Sequence, residues 1–118
     1  MNVLIIDDST AMRMIVKRML KVAGFSATFS DAADGLLGLE KIRESCPDLV
    51  LCDWNMPNMT GIELLQKLNE EEISVNFGFV TTEASQEMRK LATDNGAKFL
   101  ITKPFTEISI REALDPFF

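Results

Sequence analysis

Short apolar runs alternate with longer amphipathic stretches along the whole chain. Four runs, at residues 3–6, 49–52, 77–80 and 99–102, are almost entirely apolar. Runs of this length and composition are typical of buried strands in a parallel sheet, where helices cover both faces. A weaker run at 26–30 predicts a fifth, short strand.

The stretches between these runs repeat apolar residues at helical spacing. The first predicted helix covers residues 10–23, with Thr10 as its N-cap and Gly24 as its C-terminal stop. Its buried stripe is predicted from Met12, Ile15, Val16, Met19 and Leu20. A second helix is predicted at 34–45 from Leu36, Leu39 and Ile42. Further helices are predicted around 62–68, at 85–95, and from beyond Pro104 to about residue 115.

Five strand–helix units with short connections predict an α/β fold. Right-handed crossovers place such strands in a doubly wound, five-stranded parallel sheet of order 2-1-3-4-5, with five helices. No linker, repeat or low-complexity tract divides the chain, so residues 1–118 are predicted to form one domain. In such sheets the functional site lies beyond the carboxyl ends of the first and third strands.

Composition and charge narrow the possible functions. The chain has 12 basic and 18 acidic residues, a net charge of −6, so we expect no direct nucleic-acid partner. No apolar run reaches about 18 residues and no signal-peptide pattern is present, so we expect no membrane insertion and a cytoplasmic location. Cys46 and Cys52 are predicted to be buried free thiols. The lack of histidine excludes histidine-based catalysis and histidine metal ligation.

Polar residues follow the predicted strands at their carboxyl ends. Asp7 and Asp8 follow the first strand, Asp53 the third, Thr81 and Thr82 the fourth, and Lys103 the fifth. Because these strand ends meet at one edge of the sheet, the side chains are predicted to lie together. Each also has an ordinary explanation: the Asp pair as a helix start, the threonines as caps, the lysine as part of a loop. Their combination is what indicates a functional site.

Three clustered carboxylates indicate a metal site. They repel one another, so one of them would take up a proton unless a cation lay among them. Mg²⁺ fits best, because it prefers oxygen ligands, needs only one or two carboxylates and keeps several waters. A carboxylate beside Mg²⁺, a hydroxyl and a lysine is suited to phosphoryl transfer.

Five motifs are spread over the whole chain. They are Asp7-Asp8-Ser9, the stretch DWNMPNM at 53–59, Gly61, the stretch VTTEA at 80–84, and KPFT at 103–106. This set resembles the receiver domains of two-component response regulators, and within that family the chemotaxis (CheY-like) type. The resemblance implies a flavodoxin-like fold, which agrees with the predicted strand order.

The resemblance also implies roles for the site residues. Asp53 would accept a phosphoryl group from a histidine of a partner, which is a histidine kinase or a phosphotransfer protein. Asp8 and Asp53 would ligate Mg²⁺ together with the backbone carbonyl of Asn55, and Asp7 would support the metal.

Further implied roles concern the phosphoryl group after transfer. Thr81 would bond its oxygens, and Lys103 would pair with the phosphorylated side chain. The Lys103–Pro104 peptide bond would be cis, which only proline makes accessible at low cost. Asn55 and Glu83 would flank the path of the attacking water and set the lifetime of the signal. A downstream target would bind the surface formed by the fourth helix, fifth strand and fifth helix.

Three positions depart from the chemotaxis pattern. Leu100 stands where the family usually has a Tyr or Phe that switches rotamer. Phe99 is predicted to point to the opposite face of the strand, so it does not replace that aromatic. Thr82 stands where alanine is common, and Thr60 replaces an acidic residue, although it can still cap the next helix. None of these removes the phosphorylation chemistry, but Leu100 predicts a different readout.

Three alternatives remain open at this point. A haloacid-dehalogenase-type phosphatase also uses an Asp nucleophile and Mg²⁺, but it needs a second Asp where this chain has Ser9 after Asp7. The chain could be a free-standing adaptor or the receiver of a longer regulator. A degenerate receiver would bind partners constitutively, and the complete set of site residues argues against it: Asp7, Asp8, Asp53, Thr81 and Lys103.

Overall fold

Five parallel strands form one sheet in the computed structural model, which describes residues 1–118. The strands are β1 (Asn2–Ile6), β2 (Thr28–Ala32), β3 (Leu49–Cys52), β4 (Asn76–Thr81) and β5 (Phe99–Thr102). The helices are α1 (Thr10–Val22), α2 (Gly35–Glu44), α3 (Gly61–Glu70), α4 (Gln86–Asp94) and α5 (Glu107–Leu114), followed by a 3₁₀ turn at Asp115–Phe117. The strand order is β2-β1-β3-β4-β5, which confirms the predicted doubly wound sheet with five helices.

The interior strand β1 divides its side chains between the two faces of the sheet. Leu4 and Ile6 pack with apolar residues of α2 and α3, whereas Val3 and Ile5 pack with residues of α1 and α5. All four are at most 1% exposed. Successive strand residues point to opposite faces, so a strand covered on both sides must be apolar at every position. Each such side chain contributes about 1.5–3 kcal/mol when it is fully buried.

Hydroxyl or carboxylate side chains begin all five helices. The N-caps are Ser9, Asp34, Thr60, Ser85 and Thr106. Each accepts the backbone N–H three residues later, which satisfies a donor that the first helical turn leaves free. The prediction that Thr60 caps a helix is confirmed, and Glu63 completes a capping box there. The prediction of Thr10 as the first cap was wrong, because Thr10 is already helical and the Ser9 hydroxyl accepts the Met12 N–H at 3.2 Å.

Three further predictions were wrong in position or burial. Strand β2 lies two residues later than expected, because its polar residues Thr28, Ser30 and Asp31 leave no apolar run to locate it and its place is set by pairing with β1. Ile15 and Leu36 are each 47% exposed, since α1 and α2 turn neighbouring apolar residues inward instead. Cys46 is an exposed free thiol in the loop before β3, whereas Cys52 is buried and free as predicted. No helix combines the length and apolar character needed to cross a membrane.

The ring of Phe99 lies directly over Gly78, its paired neighbour on β4. A Cβ atom at position 78 would lie 2.1 Å from that ring, so no larger residue fits while the ring stays in place. The same ring packs against Phe117, with 5.6 Å between centroids. Phe118 packs against Phe25 at 4.4 Å, so the last residues of the chain lie against the side of the sheet that α1 and α5 cover.

Candidate functional site

The acidic cluster lies at the carboxyl ends of β1 and β3. These strands pair with Ile6 opposite Cys52, so the following residues, Asp7 and Asp53, leave the sheet side by side. One carboxylate oxygen from each of Asp7, Asp8 and Asp53 lies within 4.8 Å of the others, which confirms the predicted convergence. Asp7 is buried, Asp53 is half-buried and Asp8 is exposed. The cluster therefore opens to solvent on the Asp8 side.

Lys103 brings one positive charge into the cluster. Its Nζ lies 3.1 Å from Asp7 Oδ2 and 3.6 Å from Asp53 Oδ1, and its side chain is only 10% exposed. The Lys103 N–H donates to the Thr81 carbonyl at 2.7 Å, which ties the end of β5 to β4. The Lys103–Pro104 peptide bond is cis, as the resemblance implied. One lysine facing three carboxylates leaves the cluster with an excess of negative charge.

The surroundings of Asp53 make its carboxylate less stable than it would be in water. Burial raises the pKa of Asp53 above its ordinary value of 3.8. Lys103 opposes this shift, while the charges of Asp7 and Asp8 add to it. The Trp54 N–H donates to Asp53 Oδ1 at 2.8 Å and also favours ionisation. Oδ2 accepts no hydrogen bond from the protein, which leaves this oxygen free to meet a ligand.

Thr81, Glu83 and Asn55 border the cluster from neighbouring strands and loops. Thr81 ends β4 next to β3 and is fully buried, and its hydroxyl is 3.4 Å from the backbone N–H of Glu83. Glu83 and Thr82 are exposed in the loop that follows β4, and Asn55 is exposed in the loop that follows β3. The structure therefore brings the three aspartates and Lys103 into one cluster. Thr81, Thr82, Glu83 and Asn55 lie at the same edge of the sheet.

The loop between β3 and α3 packs tightly over Asp53. A Cβ atom at Gly61 would lie 2.3 Å from the Asp53 carbonyl oxygen, and the Gly61 N–H donates to the Trp54 carbonyl at 2.8 Å. Asn58 adopts a φ of 67° and donates its side-chain amide to Asp34 at 2.8 Å. These contacts hold the loop on the N-terminus of α2. The contacts of Asn58 and Asp34 depend on tertiary packing and were not predicted.

Arg13 reaches the same edge of the sheet, although it was not predicted there. The helical spacing of apolar residues in the sequence placed Arg13 on the polar side of α1. In the structure its guanidinium group donates to the Asp7 carbonyl at 2.5 Å and to Asp31 Oδ2 at 3.3 Å. No residue pattern in the sequence marks this contact, because it depends on how α1 lies against the end of β1.

Leu100 and Phe99 lie on opposite faces of β5, as predicted. Leu100 is half-buried and packs on the side of the core that includes Met88 and Ala92 of α4. Phe99 packs on the other side with Phe117. The position at which the family usually has a switching aromatic therefore lies on the α4 side of the sheet and carries an aliphatic side chain.

The donor set of the acidic cluster fits Mg²⁺. Three carboxylates offer hard oxygen ligands within 4.8 Å of one another, and no sulfur or imidazole ligand belongs to the group. Mg²⁺ prefers such oxygen ligands and keeps several waters, which the exposed Asp8 side of the cluster can accommodate. Burial, together with the charges of Asp7 and Asp8, raises the pKa of Asp53, so a cation bound among these carboxylates would favour its ionised form.

Comparison with known proteins agrees with this fold and site. The family model of the response regulator receiver domain matches residues 3–115 of this chain. The chain is 39% identical over 120 positions to the chemotaxis protein CheY-3 of Vibrio cholerae serotype O1, which covers all of this chain and 92% of the relative. The structure of Vibrio cholerae CheY4 superposes with a TM-score of 0.85 at 30% identity, covering 99% and 98% of the two chains. CheY in the CheX-CheY-BeF3-Mg complex from Borrelia burgdorferi superposes with a TM-score of 0.87 at 27% identity, covering 99% and 89%.

These similarities extend over almost the whole chain. The chain therefore belongs to the response regulator receiver domain family. Receiver domains of the CheY type are signalling domains whose state depends on phosphorylation, and they are not classical enzymes. Family membership favours this class over the phosphatase alternative.

Proposed function

We propose that this chain takes up a phosphoryl group on Asp53 in a Mg²⁺-dependent reaction and thereby changes its affinity for a downstream target. The observation that carries the proposal is the half-buried Asp53 carboxylate, which meets two further carboxylates and has Lys103 Nζ at 3.6 Å. An anionic phosphoryl donor would be repelled by this cluster unless a cation were present. The requirement for a divalent ion follows from that repulsion.

Asp53 would act as the nucleophile. One of its carboxylate oxygens attacks the phosphorus atom, and the bond from phosphorus to the donor's leaving nitrogen or oxygen breaks. The leaving group keeps the bonding electrons and takes a proton from solvent. Lys103 would then pair with the new phosphoryl oxygens, and the Thr81 hydroxyl would donate to them. The Thr81 hydroxyl only accepts, from the Glu83 N–H at 3.4 Å, so its own O–H is available to donate to a phosphoryl oxygen.

Asp8, Asp53 and the backbone carbonyl of Asn55 would hold the metal ion, with Asp7 in support. When bound, Mg²⁺ would offset the repulsion among the carboxylates and neutralise the equatorial phosphoryl oxygens. The Mg-containing complex of Borrelia burgdorferi CheY supports this assignment for a related domain.

The resemblance to the family implies that the phosphoryl donor in the cell is a histidine, and it would belong to another protein because this chain contains no histidine. A histidine kinase or a phosphotransfer protein supplies that chemistry. The output would be a change in the surface formed by α4, β5 and α5, where Leu100 packs against the same core cluster as Met88 of α4. The CheX-CheY complex supports protein partners for a related domain.

Intact-mass spectrometry with a small acyl or amido phosphate tests the proposal. Wild-type protein should gain the mass of one phosphoryl group with Mg²⁺, and no mass with EDTA. Asp53→Asn should gain none under either condition. Asp94→Asn is the matched control, because Asp94 is an exposed carboxylate on α4, and it should gain mass like the wild type. An equal gain in Asp53→Asn would show that another residue is the acceptor.

A further inference from the structure

We infer that Arg13 is a positioning residue for the acidic cluster, because it holds the peptide unit that joins Asp7 to Asp8. The inference rests on the proposed function, since it concerns how the same cluster binds Mg²⁺. Arg13 would not contact the metal or the phosphoryl group. It would act through the backbone that carries two of the three carboxylates.

Three hydrogen bonds fix the guanidinium group of Arg13. Nη1 donates to the Asp7 carbonyl at 2.5 Å, Nη2 donates to the Thr10 hydroxyl at 3.2 Å, and Nε donates to Asp31 Oδ2 at 3.3 Å. The side chain is only 13% exposed. Asp31 is itself held by Lys17, whose Nζ lies 2.6 Å from Oδ1. The guanidinium is thus clamped between β2 and α1, with one donor aimed at the end of β1.

The bonded carbonyl belongs to the peptide unit between Asp7 and Asp8. A peptide unit is planar, so fixing its carbonyl oxygen also fixes the direction of its N–H and the positions of both Cα atoms. The Asp7 N–H donates to the Ala32 carbonyl at 3.1 Å, which anchors the other side of Asp7 to β2. Asp7 Oδ1 also accepts the Ser9 N–H at 2.9 Å. Without Arg13, the peptide between the two carboxylates would be free to turn.

The charge of Arg13 and its geometry predict opposite effects on metal binding. A positive charge close to the cluster repels Mg²⁺, so loss of the charge alone would tighten binding. Loss of the hydrogen bond to the Asp7 carbonyl would let Asp8 leave its position and would weaken binding. Residues that orient metal ligands typically change metal affinity by about 10- to 100-fold when they are replaced. The sign of the change in Mg²⁺ affinity therefore separates positioning from charge.

Trp54 is the only tryptophan and directly follows Asp53, whose carboxylate accepts the Trp54 backbone N–H, so we expect its fluorescence to respond to changes at the site. Mg²⁺ titrations followed by Trp54 fluorescence should give Kd values for wild type, Arg13→Met, Arg13→Lys and Lys17→Met. We expect Arg13→Met to bind Mg²⁺ about tenfold more weakly than wild type. Arg13→Lys keeps one donor that can reach the carbonyl, so its Kd should lie about threefold above wild type. Lys17→Met removes the same charge without touching Asp7, and its Kd should stay within about twofold of wild type.

Thermal unfolding of each variant shows whether the titrated protein is folded. If Arg13→Met does not fold, Arg13→Lys is compared with wild type in its place. Wild-type or tighter binding in Arg13→Met, or in Arg13→Lys when it alone is folded, would overturn the inference. Equal weakening in Lys17→Met and Arg13→Met would also overturn it, since the effect would then belong to the Asp31 network as a whole. A wild type that shows no Mg²⁺ response would overturn the proposed function itself, which distinguishes the two failures.

Discussion

Replacement of Asp53 by asparagine should stabilise the metal-free protein, even though it removes the proposed phosphoryl acceptor. Asparagine has nearly the same shape, and its side-chain oxygen can still accept the Trp54 N–H that Asp53 Oδ1 accepts at 2.8 Å. The substitution removes one negative charge from a cluster whose carboxylate oxygens lie within 4.8 Å of one another. It also removes the attraction between Asp53 and Lys103. The sign of the effect depends on which contribution is larger.

Coulomb's law gives the size of the two contributions. With an effective dielectric constant of about 20, the charge of Asp7 within 4.8 Å repels Asp53 by about 3.5 kcal/mol, and Lys103 at 3.6 Å attracts it by about 4.6 kcal/mol. These two largely cancel. The repulsion by Asp8, screened by water, and the cost of burying the Asp53 charge remain, and both favour a neutral side chain. We therefore expect Asp53→Asn to raise the free energy of unfolding by about 1 kcal/mol at neutral pH.

The pH dependence of this difference has a defined sign. The pKa of Asp53 in the folded protein is raised above 3.8, chiefly by burial. A carboxyl with a raised folded-state pKa favours folding below its unfolded pKa, and this contribution is lost as the pH rises through the folded pKa. The advantage of Asp53→Asn over wild type should thus be small below 3.8, should grow above it, and should then level off. In Mg²⁺ the wild type should become more stable than Asp53→Asn, because a ligand at 100 times its Kd stabilises the folded wild type by about 2.7 kcal/mol.

Urea unfolding followed by Trp54 fluorescence measures these differences, in EDTA and in Mg²⁺, at about pH 3.5 and about pH 7. Asp94→Asn is the control for removal of an exposed carboxylate. Its pairing with Lys90 at 2.7 Å is exposed to solvent and contributes little, and its loss should not stabilise the protein. An Asp53→Asn variant less stable than wild type in EDTA at neutral pH would refute the reasoning, since attraction to Lys103 would then outweigh repulsion and burial together.

Two further predictions concern the lifetime and the readout of the signal. Asn55 and Glu83 are exposed beside the cluster, and substitution of either should change the dephosphorylation rate about tenfold without preventing phosphorylation of Asp53. This is an effect of about 1.4 kcal/mol on the barrier. The decay of the phosphoryl mass measures the rate, and an unchanged decay in both variants would contradict the prediction. Leu100→Ala should cost about 2 kcal/mol in stability but should retain most of the amide chemical-shift change that beryllofluoride induces in α4, β5 and α5. Loss of most of that change, with the fold intact, would show that leucine is the dominant switch.

The strands that could be predicted from the sequence are those whose buried positions require consecutive apolar residues. Strands β3 and β5 were predicted with the bounds observed, because each contains at least three consecutive apolar residues and is followed by polar residues. Strand β2 was displaced by two residues, because Thr28, Ser30 and Asp31 leave it without an apolar run and only Ala32 is fully buried within it. Its position depends on its pairing with β1, which no local pattern records.

The same distinction applies to the candidate site. The convergence of Asp7, Asp8, Asp53 and Lys103 was predictable, because each side chain directly follows a strand and the fold aligns the strand ends. The contact of Arg13 with the Asp7 carbonyl was not, because it depends on how α1 lies against the end of β1. Side-chain contacts to backbone groups leave no residue pattern of their own, so supporting residues of this kind require a structure.

The close contact between Gly78 and Phe99 has a consequence for the natural variation of this domain. The two residues face each other on adjacent strands, and the ring of one occupies the volume that a side chain on the other would need. A mutation that enlarges position 78 is therefore harmful unless position 99 has already become smaller, and the order in which the two changes arise matters. The ring also packs against Phe117, so a smaller residue at position 99 loosens the C-terminal turn. Across diverging lineages, positions 78, 99 and 117 should evolve as a linked group that conserves total side-chain volume, whereas the acidic edge of the same sheet evolves independently of them.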